Sequence, residues 1–184
     1  MFTNTKSGYG LIAITLHWIM ALLVLGLFGL GLYMVELTYY DSWYRGSMDL
    51  HKSIGISLVA LLIFRFLWRA LGTQPTPISA GNRLVSKIAH AAHLIIYFIL
   101  ICIVISGYLI STADGRAIEV FEVLSVPAID MSFDNQADIA GLIHYWAACC
   151  LIGLVTLHAL GALKHHFIDK DKTLIRMIKV QKDD

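Results

Sequence analysis

The sequence predicts an all-α integral membrane protein, a four-helix bundle, on three observations. Of 184 residues, 58% are apolar and 15% charged, with mean hydropathy +0.71; soluble domains run at about 45–50% and about 25%. Long stretches carry no Asp, Glu, Lys or Arg: none lies between Lys6 and Glu36, between Lys87 and Asp114, or between Asp138 and Lys164. The basic residues also sort to one side of the topology that these stretches define.

Each charge-free stretch exceeds the roughly 20 residues that cross about 30 Å of hydrocarbon, which predicts helices at about 10–36, 84–112 and 139–166. A fourth span, about 46–71, has a shorter apolar centre, Ile54 to Phe64. Asp49 and Lys52 lie near one end and Arg65 and Arg69 near the other, where long side chains snorkel to the headgroups. The first apolar run is too long for a cleavable signal and lacks a small-residue cleavage site, so it is expected to remain as a helix. The length allows one domain, so residues 1–184 read as a single transmembrane domain.

With four spans, the N-terminus, the 72–83 loop and the C-terminal tail share one side. That side holds eleven basic residues, Arg83 and Lys182 among them, against Asp169, Asp171, Asp183 and Asp184, a net +7. The other side holds Arg45, Lys52 and Arg116 against nine acids, a net −6. By the positive-inside rule both termini are expected in the cytoplasm. Three spans would put the basic tail and the N-terminus on opposite sides. Pro75 and Pro77 predict a short, extended 72–83 loop. The outer loop, about 112–138, is acidic (Asp114, Glu119, Glu122, Asp130, Asp134 and Asp138), and its Ile118–Leu124 stretch is expected as a short helix on the membrane surface. Trp18, Trp43, Trp68 and Trp146 near helix ends fit an interfacial belt, and Gly26, Gly29, Gly31 and Gly55 permit close approach of helices.

Cys102, Cys149 and Cys150 all lie in apolar runs and read as small buried helix residues. No Cys-x-x-Cys-His is present, which excludes covalent c-type haem. No nucleotide-binding glycine loop and no iron–sulfur cysteine pattern occurs either, so no further catalytic domain is built in. Nothing points to nucleic acid.

Chemistry concentrates in histidine. Of eight histidines, six lie within the spans: His17, His51, His90, His93, His144 and His158. Ionisable groups at membrane depth are costly and face the bundle interior. Assuming helical rise, His51 and His144 are the only ones in the outer leaflet, so an outer bis-histidine site has one possible pairing. In the inner leaflet His17, His90, His93 and His158 lie at similar depths, and geometry leaves their pairing open. His144 and His158 are fourteen residues apart, about 21 Å of rise and within about 40° of one helix face. That spacing suits two haems stacked along the membrane normal, each with a second histidine from another helix. Imidazole on both faces of haem iron makes a six-coordinate centre for electron transfer. Zinc or copper fits less well, because no site offers three convergent ligands at a plausible spacing.

These residues resemble the bacterial cytochrome b561 family, related to the b-type subunits of nickel hydrogenases and formate dehydrogenases. The matching elements are Leu16-His17-Trp18, His51-Lys52-Ser53-Ile54-Gly55 and Ala89-His90-Ala91-Ala92-His93-Leu94. The closing run is the most specific: His158, Ala162, His165, His166, Phe167, Asp171 and Leu174-Ile175-Arg176-Met177. The resemblance covers nearly the whole chain and implies a multi-pass protein of the bacterial inner membrane with two haem b per chain. It pairs His17 with His158 on an inner haem and His51 with His144 on an outer one. His90 and His93 then stand beside a haem or on a quinone side. Lys52, Arg65 and Arg69 are candidates to neutralise haem propionates, and His165 to hydrogen-bond a quinone carbonyl or relay its proton.

The expected function is a dihaem carrier between a periplasmic-side redox partner and the quinone pool, with ubiquinone as acceptor or donor. Two other functions stay open. Some members of the family oxidise superoxide and reduce ubiquinone, although an outer face of net −6 does not steer an anion and better suits a basic soluble cytochrome. The chain would otherwise serve as the haem-bearing membrane anchor of a larger oxidoreductase, bound to a catalytic subunit.

Overall fold

The computed structural model describes residues 1–78, 83–129 and 133–180. Asp130 of the acidic loop, the Arg83 side chain, and Lys182, Asp183 and Asp184 of the tail lie outside the described residues. The element order is α1 (Leu11–Val35), α2 (Tyr44–Leu71), α3 (Arg83–Ser111), β1 (Ile118–Val120), β2 (Leu124–Val126), α4 (Gln136–Phe167) and α5 (Thr173–Arg176). The four long helices, at 25 to 32 residues, are each long and apolar enough to cross a membrane. Many of their large apolar side chains stay exposed, Leu22 at 67% and Phe98 at 64% among them. A surface facing lipid tails tolerates this, because leaving lipid brings such side chains no hydrophobic gain.

Two compact units emerge. The first comprises residues 1–20, 61–97 and 151–184; the second comprises 21–60 and 98–150. In the first, the chain start caps α1. The backbone N–H groups of Leu11 and Ile12, which have no partner inside the helix, donate to the carbonyls of Met1 and Phe2. Gly10 permits this fold-back, since a Cβ there would lie 2.4 Å from the backbone of Thr3. The 72–78 stretch carries no helix or strand, and Thr76 N–H donates to Lys6 O at 3.0 Å. Arg176 Nη1 donates to Thr76 O (2.7 Å), and Trp18 Nε1 donates to Met177 O (2.6 Å), which joins α1 to the turn after α5.

The second unit corrects one expectation. Residues 118–126 form an antiparallel hairpin, with Ile118 opposite Val126 and Val120 opposite Leu124, rather than a surface helix. Ile118 and Val120 are buried while Glu119 between them is exposed, a period of two that suits β-branched residues on a pleated strand. Phe121, Glu122 and Val123 connect the strands, the first two with φ of 49° and 59°, the left-handed conformation that tight hairpin turns use. Ser53 of α2 holds this turn: its Oγ accepts from Phe121 N–H (3.0 Å) and donates to Glu119 O (3.5 Å). Tyr108 OH ties α3 to the following loop, donating to Pro127 O and accepting from Ile129 N–H, each at 2.8 Å.

Candidate functional site

Each unit gathers histidines from different helices. In the second unit, His51 of α2 and His144 of α4 face each other with ring centroids 6.2 Å apart and planes 65° to one another. His144 is held in one orientation. Its Nδ1 lies 3.0 Å from the Ile103 carbonyl and 3.3 Å from Ser106 Oγ. A carbonyl accepts only, so Nδ1 carries the ring proton and Nε2 keeps its lone pair. Ser106 is itself fixed, donating to the Cys102 and Ile103 carbonyls. Two glycines make room for the rings. A Cβ on Gly107 would meet His144 Cε1 at 3.1 Å and Nδ1 at 3.3 Å, and one on Gly31 would meet His51 Cε1 at 3.5 Å. His51 Nδ1 is buried without a hydrogen-bond partner.

In the first unit, His158 of α4 faces two rings: His17 of α1 at 6.4 Å and His93 of α3 at 5.2 Å. Arg65 of α2 closes this cluster. Its Nε donates to Tyr97 OH at 2.9 Å, and its Nη2 stands 3.5 Å from His17 Nδ1. Arg65 and Arg69 also line a small cavity of about 30 Å³ with Trp68, Gln74 and Tyr9. His90, one turn before His93, is exposed and joins none of these ring contacts.

The two wider separations can be tested against haem. A transition metal takes an imidazole nitrogen at about 2.0–2.1 Å, and the ring centre lies about 1.1 Å behind it, so two axial imidazoles hold their centres roughly 6.3 Å apart. The 6.2 and 6.4 Å pairs fit that spacing, and the 5.2 Å pair is too close. The His144 tautomer fits as well, since it presents Nε2 to a metal while Nδ1–H is spent on a carbonyl, the usual support for a ligating histidine.

The remaining candidates are placed as follows. Lys52 forms an ion pair with Asp49 at 2.7 Å. His165, at the end of α4, has Nδ1 within 2.8 Å of Asp169 and 3.2 Å of Asp171. Tyr97, Ser106 and Gly107 went unnoticed in the sequence. The Ser-Gly pair inside the apolar run of α3 was the available signal, since small residues in a membrane helix mark close approach.

The comparisons with known proteins agree in kind. The family model for prokaryotic cytochrome b561 matches residues 8–179. Cytochrome b561 homolog 2 of Escherichia coli K12 is 49% identical over 96% of this chain and 94% of its own length. The probable superoxide oxidase CybB of Yersinia pestis is 29% identical over 92% of this chain and 95% of its own. Cytochrome b561 homolog 1 of E. coli K12 is 25% identical over 92% and 96%.

Proposed function

The chain belongs to the prokaryotic cytochrome b561 family, a multi-pass membrane haem protein of electron transfer, and on that premise we propose that it carries two haem b and links a periplasmic-side redox partner to the quinone pool. The observation that carries this reading is the pair of cross-helix histidine couples with ring centres 6.2 and 6.4 Å apart. His51 and His144 would hold one haem toward the outer face; His17 and His158 would hold the other toward the cytoplasm, with both termini on that side. The chain would work as one transmembrane domain of the bacterial inner membrane.

Bound haem supplies a one-electron iron couple whose potential is set by its ligands and surroundings. The residues supply the rest. Ile103 O and Ser106 hold the His144 ring so that it neither rotates nor changes tautomer. Arg65 has donors only. With His17 Nε2 given to haem iron, Nδ1 would be a donor too, so the guanidinium would need another acceptor, and a propionate would supply one. Arg69 lies beside it for the same role. His93 lines the cluster without the spacing of an axial pair. His165 would meet a quinone carbonyl at the cytoplasmic face. His90 is exposed and is the weaker quinone candidate.

A superoxide oxidase reading has one observation in its favour, the resemblance to the relative of that name. The charges of the second unit oppose it. Lys52 is paired with Asp49 and Arg116 with Asp114, while Arg45 sits over the Tyr39 ring at 5.8 Å. Two of the three cations that would attract an anion are thus already neutralised. A pyridine haemochrome assay on the purified protein tests the main reading: two protohaems per chain are expected, and one or none would overturn the paired scheme. Quinol added to the oxidised protein should then reduce haem. Superoxide consumption above the uncatalysed rate, in the presence of quinone, would favour the second reading.

A further inference from the structure

At the end of α4 the chain turns back on itself so that two carboxylates meet one histidine. Lys170 takes a left-handed conformation (φ 55°). Asp171 N–H returns to the His165 carbonyl at 3.0 Å, and Asp169 N–H to the Lys164 carbonyl at 3.2 Å. Both side chains then lie against the ring, Asp169 Oδ2 at 2.8 Å and Asp171 Oδ2 at 3.2 Å from His165 Nδ1. His165 Nδ1 is buried and makes no well-aligned hydrogen bond, so what holds it is the proximity of two carboxylates rather than one directed contact. Each carboxylate is fixed from its far side. Lys164 Nζ donates to both oxygens of Asp169 at 2.7 and 2.9 Å, and Thr173 N–H donates to Asp171 Oδ1 at 2.8 Å. Burial alone would raise the Asp171 pKa, but its hydrogen bonds from Thr173 and the nearby His165 ring prevail and lower it.

We propose that Asp169 and Asp171 are positioning residues which lock the His165 ring with Nδ1–H toward the loop, leaving Nε2 as the atom that exchanges a proton with quinone. This rests on the quinone reading of His165 given above. The reasoning is one of donors and charge. Ionised carboxylates only accept, so a ring nitrogen between two of them carries its hydrogen. All proton exchange then falls to Nε2. Lys164 with Asp169 and Asp171 carries net −1, so an imidazolium at His165 brings the cluster to neutrality. A divalent cation in the same place would leave it at +1, against the Lys164 ammonium that already occupies Asp169. The geometry therefore favours a proton over a metal, although the three side chains have ligand atoms within 4.8 Å of one another.

The chemistry balances simply. Reducing a quinone to a quinol takes two electrons, which on the dihaem reading would arrive singly from the donor-side partner, and one proton on each carbonyl oxygen, the far oxygen taking its proton from water. For the oxygen facing His165, the Nε2–H bond breaks and an O–H bond forms. The ring is left as the neutral Nδ1–H tautomer, and water at the cytoplasmic surface reprotonates Nε2. Quinol oxidation runs the same transfer backward.

The test uses the full haem-loaded protein with ¹⁵N-labelled histidine, the His165 signal being assigned by its loss in His165→Gln. Wild type should show Nδ1 protonated at His165 in the neutral ring and in the imidazolium alike. Asp169→Asn/Asp171→Asn should keep its haem, lose that single-tautomer signature, and slow quinol-driven haem reduction by roughly tenfold to a hundredfold, within the range of lost proton-transfer assistance. His165→Gln should slow it as much, and the triple variant no further. If His165→Gln is slow but the double Asn variant keeps both tautomer and rate, the clamp is wrong and the quinone reading stands. If His165→Gln runs at the wild-type rate, the quinone reading fails and takes the proton role with it. Stoichiometric Zn²⁺ binding that disappears in Asp171→Asn would overturn the proposal in favour of a metal site.

Discussion

The two histidine couples are alike in spacing and unlike in surroundings. His51 and His144 sit among neutral, small and backbone groups: Gly31, Gly107, Ser106 and the Ile103 carbonyl. His17 and His158 sit among groups that carry or take charge, Arg65, Tyr97 and His93. On the proposed dihaem reading, a neutral cage and a cage with a cation would give the two irons different electron affinities, because a nearby positive charge stabilises the reduced, less positive iron. The contrast suggests a division of labour in which one site is held by shape and the other is tuned by charge.

Removing a ligand gives the largest effect and tests the contrast directly. His51→Ala leaves His144 with no second ring, so the haem-to-chain ratio should fall from two to one. His17→Ala frees space into which the His93 ring could draw back by about an ångström from its 5.2 Å contact with His158, so part of that haem should remain, and His17→Ala/His93→Ala should remove it. Equal losses in the two single variants, by haemochrome assay, would break the comparison.

A cage held by shape must also fail by shape. Gly107→Val puts branched carbon where even a Cβ lies 3.1 Å from the His144 ring. Overpacking of this kind costs about 1–3 kcal/mol, and the expected result is roughly tenfold lower haem retention at that site alone. Gly31→Ala, whose Cβ meets His51 at an ordinary 3.5 Å, should retain its haem. Difference spectra of partly reconstituted protein would separate the two variants.

How far the sequence carried these assignments differs with the physics involved. The four spans were legible because charge-free length is a property of each segment alone. That His51 and His144 meet was legible because depth left no other histidine in that leaflet. Among the inner-leaflet histidines, helical rise fixes depth but not which face meets which, so their contacts waited for tertiary structure. The hairpin at 118–126 was missed because its turn, Phe121-Glu122, lacks the Asn or Gly that normally announces left-handed residues. What stabilises it is Ser53, 68 residues earlier in the chain. The His165 clamp was equally hidden, since it depends on Lys170 adopting a positive φ.

A charge effect is smaller than a lost ligand. Arg65→Gln should leave both haems bound and lower one midpoint potential by on the order of tens of millivolts, because the oxidised iron is no longer disfavoured by a neighbouring cation. The His51–His144 haem should not shift. A redox titration that shows equal shifts in both components, or none, would remove the electrostatic half of the contrast.

The smallest effect is expected at the hairpin, where neither haem ligand is touched. Ser53→Ala takes away the acceptor for Phe121 N–H and the donor to Glu119 O. An amide left without its partner costs up to about 1–3 kcal/mol when buried; this one is part-buried, and the cost falls on a turn already held in an unfavourable left-handed conformation. The tie runs between α2 and a loop, so it should open locally. Amide exchange across 118–126 should accelerate by roughly tenfold or more, as a loss of about 1.4 kcal/mol implies, while haem content stays at the wild-type value. Should haem at the His51–His144 couple be lost as well, the hairpin would have to count as part of the cage, and that site would depend on more than the shape of its two glycines.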